Sequence, residues 1–217
     1  MKIIEILDIE HAAEVTKSIF FNLDPEHSKN VAFTGGRFGK KVLSEFSIED
    51  LTNDYEIFQT DERIVSSNDN NCIQTYIIKE LFNTGIPNRN RLNFFNIDTN
   101  LETSVEIMTD LLNRKKIVVL DVVFLSLGED GHIAGHFNNS LPTDDQRICI
   151  THEAIKLPKK RISYNVSWLL KSKLIILCVI GSDKEKAYNE LFNGEGLHSE
   201  SIKSQDNLII LKDKKFR

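Results

Sequence analysis

The chain has 217 residues, 41% hydrophobic and 27% charged, which suits one α/β domain with a sizeable core. A net charge of -5 with scattered basic residues points away from nucleic acid and anionic membranes, and no apolar run approaches the roughly 20 residues of a membrane span.

The N-terminus, Met1-Lys-Ile-Ile-Glu-Ile-Leu-Asp8, has acids where a signal peptide needs an apolar stretch, so a cytoplasmic location is expected. Residues 30–34 read as a short strand and 38–46 as a helix. Tyr55 to Thr60 reads as a strand. Asn71 to Phe82 follows as a helix, with Ile73, Ile77, Ile78 and Leu81 on one face. Leu92 to Ile97 is strand-like, and Leu101 to Asn113 carries Val105, Met108, Leu111 and Leu112 at helical spacing. Val122 to Leu127 is apolar, β-branched and aromatic, the mark of a strand buried on both faces. Further strands are expected near 147–151, 173–180 and 207–212, with a helix at 183–192. Strands alternating with helices of this length predict βαβ units and a mostly parallel sheet in one domain. The Asn-rich stretches (Asn68, Asn70, Asn71, Asn138, Asn139) read as turns.

In such a sheet, ligands sit beyond the carboxyl ends of strands. Three strand ends carry suitable chemistry. The first is Thr34-Gly35-Gly36-Arg37-Phe38-Gly39, where backbone amides and Arg37 suit an anion; the plainer reading is a tight turn needing positive φ. Its spacing is neither a P-loop nor a dinucleotide motif. The second is Asp61-Glu62-Arg63, an acid/base pair with a clamp or a solvated ion pair. The third is Gly128-Glu129-Asp130-Gly131-His132, which delivers an imidazole and two carboxylates. His132 and His136 stand four apart, as in zinc sites. Gly131 and Gly135 disfavour a helix there, though, and Ile133 replaces the Glu of HExxH, so no metal is expected. His11, His27, His152 and His198 read as surface residues. Cys72, Cys149 and Cys178, widely spaced and without a CxxC pair, read as reduced thiols. Lys159-Lys160-Arg161 and Gly181-Ser-Asp-Lys184 add basic positions that are, taken singly, most simply solvated.

As an ordered set, the glycine turn, Asp61-Glu62-Arg63, Asn70-Asn71, Gly128 to His132, Arg161-Ile-Ser and Gly181 to Lys184 resemble the 6-phosphogluconolactonase family, a branch of the superfamily that also holds glucosamine-6-phosphate deaminase. The resemblance implies a single Rossmann-like domain of the glucosamine-6-phosphate deaminase/ribose-5-phosphate isomerase/CoA-transferase-like fold. It implies hydrolysis of a phosphosugar lactone, without metal or cofactor, by a monomer or small homo-oligomer. Catalysis is then expected from His132, with Asp61 orienting the imidazole or the sugar hydroxyls. Gly35, Gly36, Arg37, Arg63, Asn71, Arg161 and Lys184 are expected to bind substrate, and Glu129 and Asp130 to shape the loop. The chain departs from the family where Arg37-Phe38 replaces Thr-Pro and where Ile133 to Asn139 follows the histidine. The alternatives are a deaminase-like aldose-ketose isomerase and a non-catalytic sugar-phosphate binder. Deaminases carry a catalytic glutamate five residues beyond the histidine, a position held here by Phe137.

Overall fold

The computed structural model describes residues 1–23, 29–46, 55–83, 91–137 and 147–216. The chain opens with β1 (Lys2–Ile6) and α1 (Ile9–Phe21), whose first turn is capped by the Asp8 carboxylate accepting the His11 amide at 2.8 Å. Next come β2 (Asn30–Phe33), α2 (Gly36–Glu45), β3 (Glu56–Gln59), β4 (Asp61–Arg63), α3 (Ile73–Asn83) and β5 (Leu92–Asn93). The second half runs α4 (Leu101–Arg114), β6 (Val122–Ser126), β7 (Cys149–Glu153), β8 (Lys160–Tyr164), α5 (Val166–Leu169) and β9 (Leu174–Val179). A 3-10 turn (Ser182–Lys184), α6 (Glu185–Asn193), α7 (Ser199–Lys203) and β10 (Leu208–Asp213) complete it.

Seven strands form one parallel sheet in the order β1-β10-β9-β6-β2-β3-β5. Its apolar residues alternate between two cores with the period of two that a strand imposes. Val31, Phe33, Val122, Phe124 and Ile176 face α1, α2 and α3, where they meet Ala12, Phe20, Val42 and Ile77. Ala32, Val123, Leu125, Ile175 and Leu177 face the other way, onto Met108, Leu112, Tyr164 and Trp168. Burial on both faces is why these strands read as continuous apolar runs.

The structure departs from the sequence expectations in four places. The first 23 residues hold an edge strand and a helix that the sequence reading left unassigned. The strand expected at 92–97 pairs only through Leu92 and Asn93, although Phe95 stays buried. The basic run before Trp168 contains a strand, β8, and Asp61 to Arg63 is itself a strand rather than a loop. β4, β8 and β7 make a separate antiparallel sheet of three strands. These strands are short and mix charged with apolar residues, so neither a period nor an apolar run marks them. Asn138, Asn139 and His27 lie outside the described residues.

Three strand beginnings are clamped by one buried acid. The Asp121 carboxylate accepts the amides of Lys29 (2.9 Å) and Asn30 (2.8 Å) and pairs with Lys173 Nζ at 2.6 Å. Its own amide and carbonyl engage Asn30 and Leu174. Asp121→Ala strands two backbone donors, and the expected loss is about 2–3 kcal/mol of stability. A lowered denaturant midpoint with an unchanged slope would show it.

Candidate active site

β2 and β6 are neighbours, yet the chain leaves them in opposite directions. β2 is followed outward by β3 and β5, and β6 by β9 and β10. The connections after the two strands therefore part, and a crevice opens at their carboxyl ends. A cavity of about 300 Å³ occupies it, lined by the turn from Thr34 to Phe38, Asp61, Arg63, Ser126 to Glu129, His132, Lys156, Asp183 and Lys184.

The glycine turn has the tight geometry that the plainer sequence reading expected, and it lies on the cavity wall. Gly36 has φ of 76°, a conformation that a side chain disfavours, and Gly35 caps α2 without a side chain. Gly39 packs against the end of β2 so closely that a Cβ would lie 1.8 Å from the Thr34 carbonyl oxygen. The start of α2 thus faces the cavity with its unpaired amides and partial positive charge. Arg37 stands exposed at the rim, 3.5 Å from the Asp183 carboxylate.

β4 sends its acids to opposite sides. Glu62 is fully buried and holds α3 in place, accepting the amides of Ile73 (2.8 Å), Gln74 (2.7 Å) and Arg63 (2.7 Å) and Gln59 Nε2 (3.0 Å). Burial pushes its carboxyl up, against the pull of those donors. Asp61 points to the cavity, where its Oδ1 accepts Thr60 Oγ1 at 2.8 Å.

Antiparallel register sets Arg63 opposite Arg161 and Asp61 opposite Ser163. Directly opposed residues share a face, so the two guanidinium groups lie side by side. Arg161 is only 5% exposed, and burial together with the charge of Arg63 lowers it to about 10. The Nε atoms of both arginines are buried without a partner. Two crowded, poorly hydrated cations favour an anion beside them. Arg63 reaches the cavity wall, whereas Arg161 stands behind it, 5.8 Å from the Phe137 ring. Asn71 is placed differently from the sequence expectation. Its side chain is turned to Asp69, and its carbonyl accepts Arg63 Nη1 at 2.9 Å, so it steadies the arginine instead of lining the cavity.

The loop after β6 folds back on itself. Gly128 donates to the His132 carbonyl at 2.8 Å, Gly131 turns with φ of 81°, and Ile133 bridges to Leu127. The His132 Nδ1 is hydrogen-bonded to the Asp130 carboxylate. A carboxylate only accepts, so Nδ1 carries a proton, and in the neutral imidazole Nε2 is the nitrogen with the lone pair. The imidazole therefore has Asp130, not Asp61, as its orienting partner. A Cβ on Gly128 would lie 2.0 Å from Nδ1, so no larger residue fits beneath the ring. Phe137 stacks on the imidazole with centroids 4.4 Å apart. Gly135 donates to Ser163 Oγ at 3.2 Å, and buried His136 hydrogen-bonds the Tyr164 carbonyl through Nε2 at 3.0 Å. His132 and His136 thus diverge, and among the described residues no cluster of three or more acids, histidines or cysteines is placed to hold a metal.

Lys184 closes the far side, donating to Ser126 Oγ at 2.8 Å from a largely buried position that pushes its ammonium down. Lys156, paired with Glu129, lines the wall as well, although its sequence neighbours Lys159 and Lys160 are exposed. The basic run at 159–161 drew notice in the sequence, and Lys156, separated from it by Leu157-Pro158, did not. His198, read as a surface residue, is half-buried with its Nε2 enclosed, and its edge meets the His136 ring.

A family model described as glucosamine-6-phosphate isomerases/6-phosphogluconolactonase matches residues 7–209. A 6-phosphogluconolactonase of Borreliella burgdorferi is 26% identical across 88% of this chain and 87% of its own. A probable 6-phosphogluconolactonase of Dictyostelium discoideum is 31% identical across 77% of this chain and 76% of its own. The structure superposes on a 6-phosphogluconolactonase from Trypanosoma cruzi with a TM-score of 0.85 at 17% identity, covering 99% of this chain and 95% of that one. No helix among the described residues is long and apolar enough to cross a membrane.

The Asp130 carboxyl is lowered from 3.8 to about 2, first by its hydrogen bond to His132. A depressed carboxyl stabilises the fold above its unfolded value and loses that contribution as pH falls through the folded one. The stability gap between wild type and Asp130→Asn should therefore be full at about pH 5 and shrink toward about pH 2. Urea unfolding at both pH values reads it, and a constant gap contradicts the pairing.

Proposed function

The chain belongs to the glucosamine-6-phosphate isomerase/6-phosphogluconolactonase family, and on that premise we propose that it hydrolyses 6-phospho-D-glucono-1,5-lactone to 6-phosphogluconate. The observation that carries this reading is the imidazole of His132, aligned by Asp130 and stacked on Phe137 at the cavity wall. Phe137 occupies the position at which deaminases resembling this chain need an acid. Ring opening and isomerisation of an amino sugar require that extra proton carrier. Lactone hydrolysis requires only an activated water. The aligned His132–Asp130 pair also favours catalysis over mere binding, since a binder has no use for an oriented base.

In this mechanism His132 Nε2 takes a proton as water attacks the lactone carbonyl carbon. The tetrahedral intermediate collapses, the bond from that carbon to the ring oxygen breaks, and the imidazolium returns the proton to the departing oxygen. Asp130 holds the ring and stabilises its charged form. Arg63, with Arg161 behind it, supplies a fixed positive field for the phosphate or the developing oxyanion. The amides at Gly35 and Gly36, with Arg37 and Lys184, complete the grip on the phosphorylated end. Asp61 is left to orient sugar hydroxyls.

Purified protein should release protons from fresh 6-phosphogluconolactone well above the spontaneous rate and no ammonia from glucosamine 6-phosphate. The reverse pattern overturns the reading. His132→Ala is expected to lower kcat by about 10²–10⁴-fold, and a retained kcat removes its role. Arg161→Ala should raise KM for the phosphorylated lactone more than for an unphosphorylated one, as steady-state kinetics on the two substrates would show.

A further inference from the structure

The lactonase reading leaves one wall residue without a task. Lys156 sits on the turn that joins β7 to β8, closed by the Ala154 amide donating to the Lys159 carbonyl at 2.7 Å. Its neighbours Ile155 and Leu157 are 65% and 81% exposed, so the turn stands clear of the core. Lys156 reaches from there to the cavity wall and pairs with Glu129, and both side chains remain half exposed. Glu129 immediately precedes Asp130, the partner of the catalytic imidazole. The ammonium thus stands at the histidine end of the cavity. Its field helps hold the Asp130 carboxyl down.

Hydrolysis of a lactone changes the charge at that end. The neutral carbonyl carbon attacked beside His132 becomes a carboxylate, and Glu129 and Asp130 already place two negative groups there. A third would be repelled unless a cation offsets it. Lys156 is such a cation, and its resting partner is itself a carboxylate, the chemical group that the reaction makes. We infer that Lys156 exchanges Glu129 for the carboxylate formed from the lactone, and so recognises the opened acid rather than the phosphate. Glu129 in the resting state keeps the ammonium in place and competes with product. That competition limits how tightly the acid is retained. Lys156 is then a specificity residue for the C1 end of the ligand, separate from the arginine and glycine groups at the phosphate. This assignment rests on the lactonase reading above.

Calorimetric titration with two ligands tests it. 6-Phosphogluconate carries both phosphate and carboxylate, and D-glucitol 6-phosphate carries the phosphate alone. In Lys156→Met, binding of 6-phosphogluconate should weaken by about tenfold or more, as expected for one lost charge-assisted contact. Binding of D-glucitol 6-phosphate should stay within about twofold, and Lys156→Arg should recover part of the loss. Glu129→Gln should bind 6-phosphogluconate more tightly than wild type. Equal weakening toward both ligands makes Lys156 a phosphate group and overturns the inference. Unchanged binding of 6-phosphogluconate in Lys156→Met reduces the pair to a surface contact and overturns it alone. Wild type that binds neither ligand overturns the lactonase reading as well. Lys156 is exposed, so unchanged thermal unfolding would confirm that the variants remain folded.

Discussion

Everything at the site depends on the parting of β2 and β6. Two parallel neighbours whose following connections run to opposite sides cannot close the space above their carboxyl ends. That space receives the glycine turn from β2 and the histidine loop from β6. The buried Asp121 sits at the opposite end of the same strands and ties their beginnings to β9. The parallel pairing that aligns the two strand ends is thus secured from below. A helix start, with its partial positive charge, and an imidazole are brought together by topology before any side chain contributes.

The small antiparallel sheet then supplies charge. β4 leaves the end of β3, separated from it only by Thr60, and uses the alternation of a strand to divide its three residues. Asp61 and Arg63 go to the cavity side and Glu62 goes beneath α3, where three backbone amides, Gln59 Nε2 and the Cys72 thiol meet it. One acid of the pair is therefore a fastening, and the other faces the cavity. The cost of crowding Arg63 against Arg161 is borne by that framework, with Asn71 and Phe137 as further supports. Two adjacent guanidinium groups, each with a buried Nε that lacks a partner, are a poor way to stabilise a fold and a good way to hold an anion.

The segment after His132 departs from the resembling family, and the structure gives four of its five described residues a place. Ile133 is core, Gly135 allows the loop to touch Ser163, His136 bolts the loop to β8, and Phe137 stacks on the imidazole. The second half of the motif is a mounting for the first.

The parallel sheet was legible in the sequence because burial on both faces forces continuous apolar runs such as Val122 to Leu127. The candidate site was legible because a glycine turn, Asp61-Glu62-Arg63 and Gly128 to His132 each follow a strand, and strand ends converge in this class of fold. The short strands β4 and β8 were not legible, since a charged strand of three to five residues carries no periodic signal. Nor could the sequence say which acid holds the imidazole. Asp130 and Asp61 are both near candidates by position, and only the fold-back at Gly128 and Gly131 brings Asp130 under Nδ1. For a similar reason Lys156 lines the cavity and the Asn71 side chain turns away from it. Residue type and order determine which groups arrive at the site. Which way each one points is decided by strand alternation, register and loop closure, and these exist only once distant segments have packed.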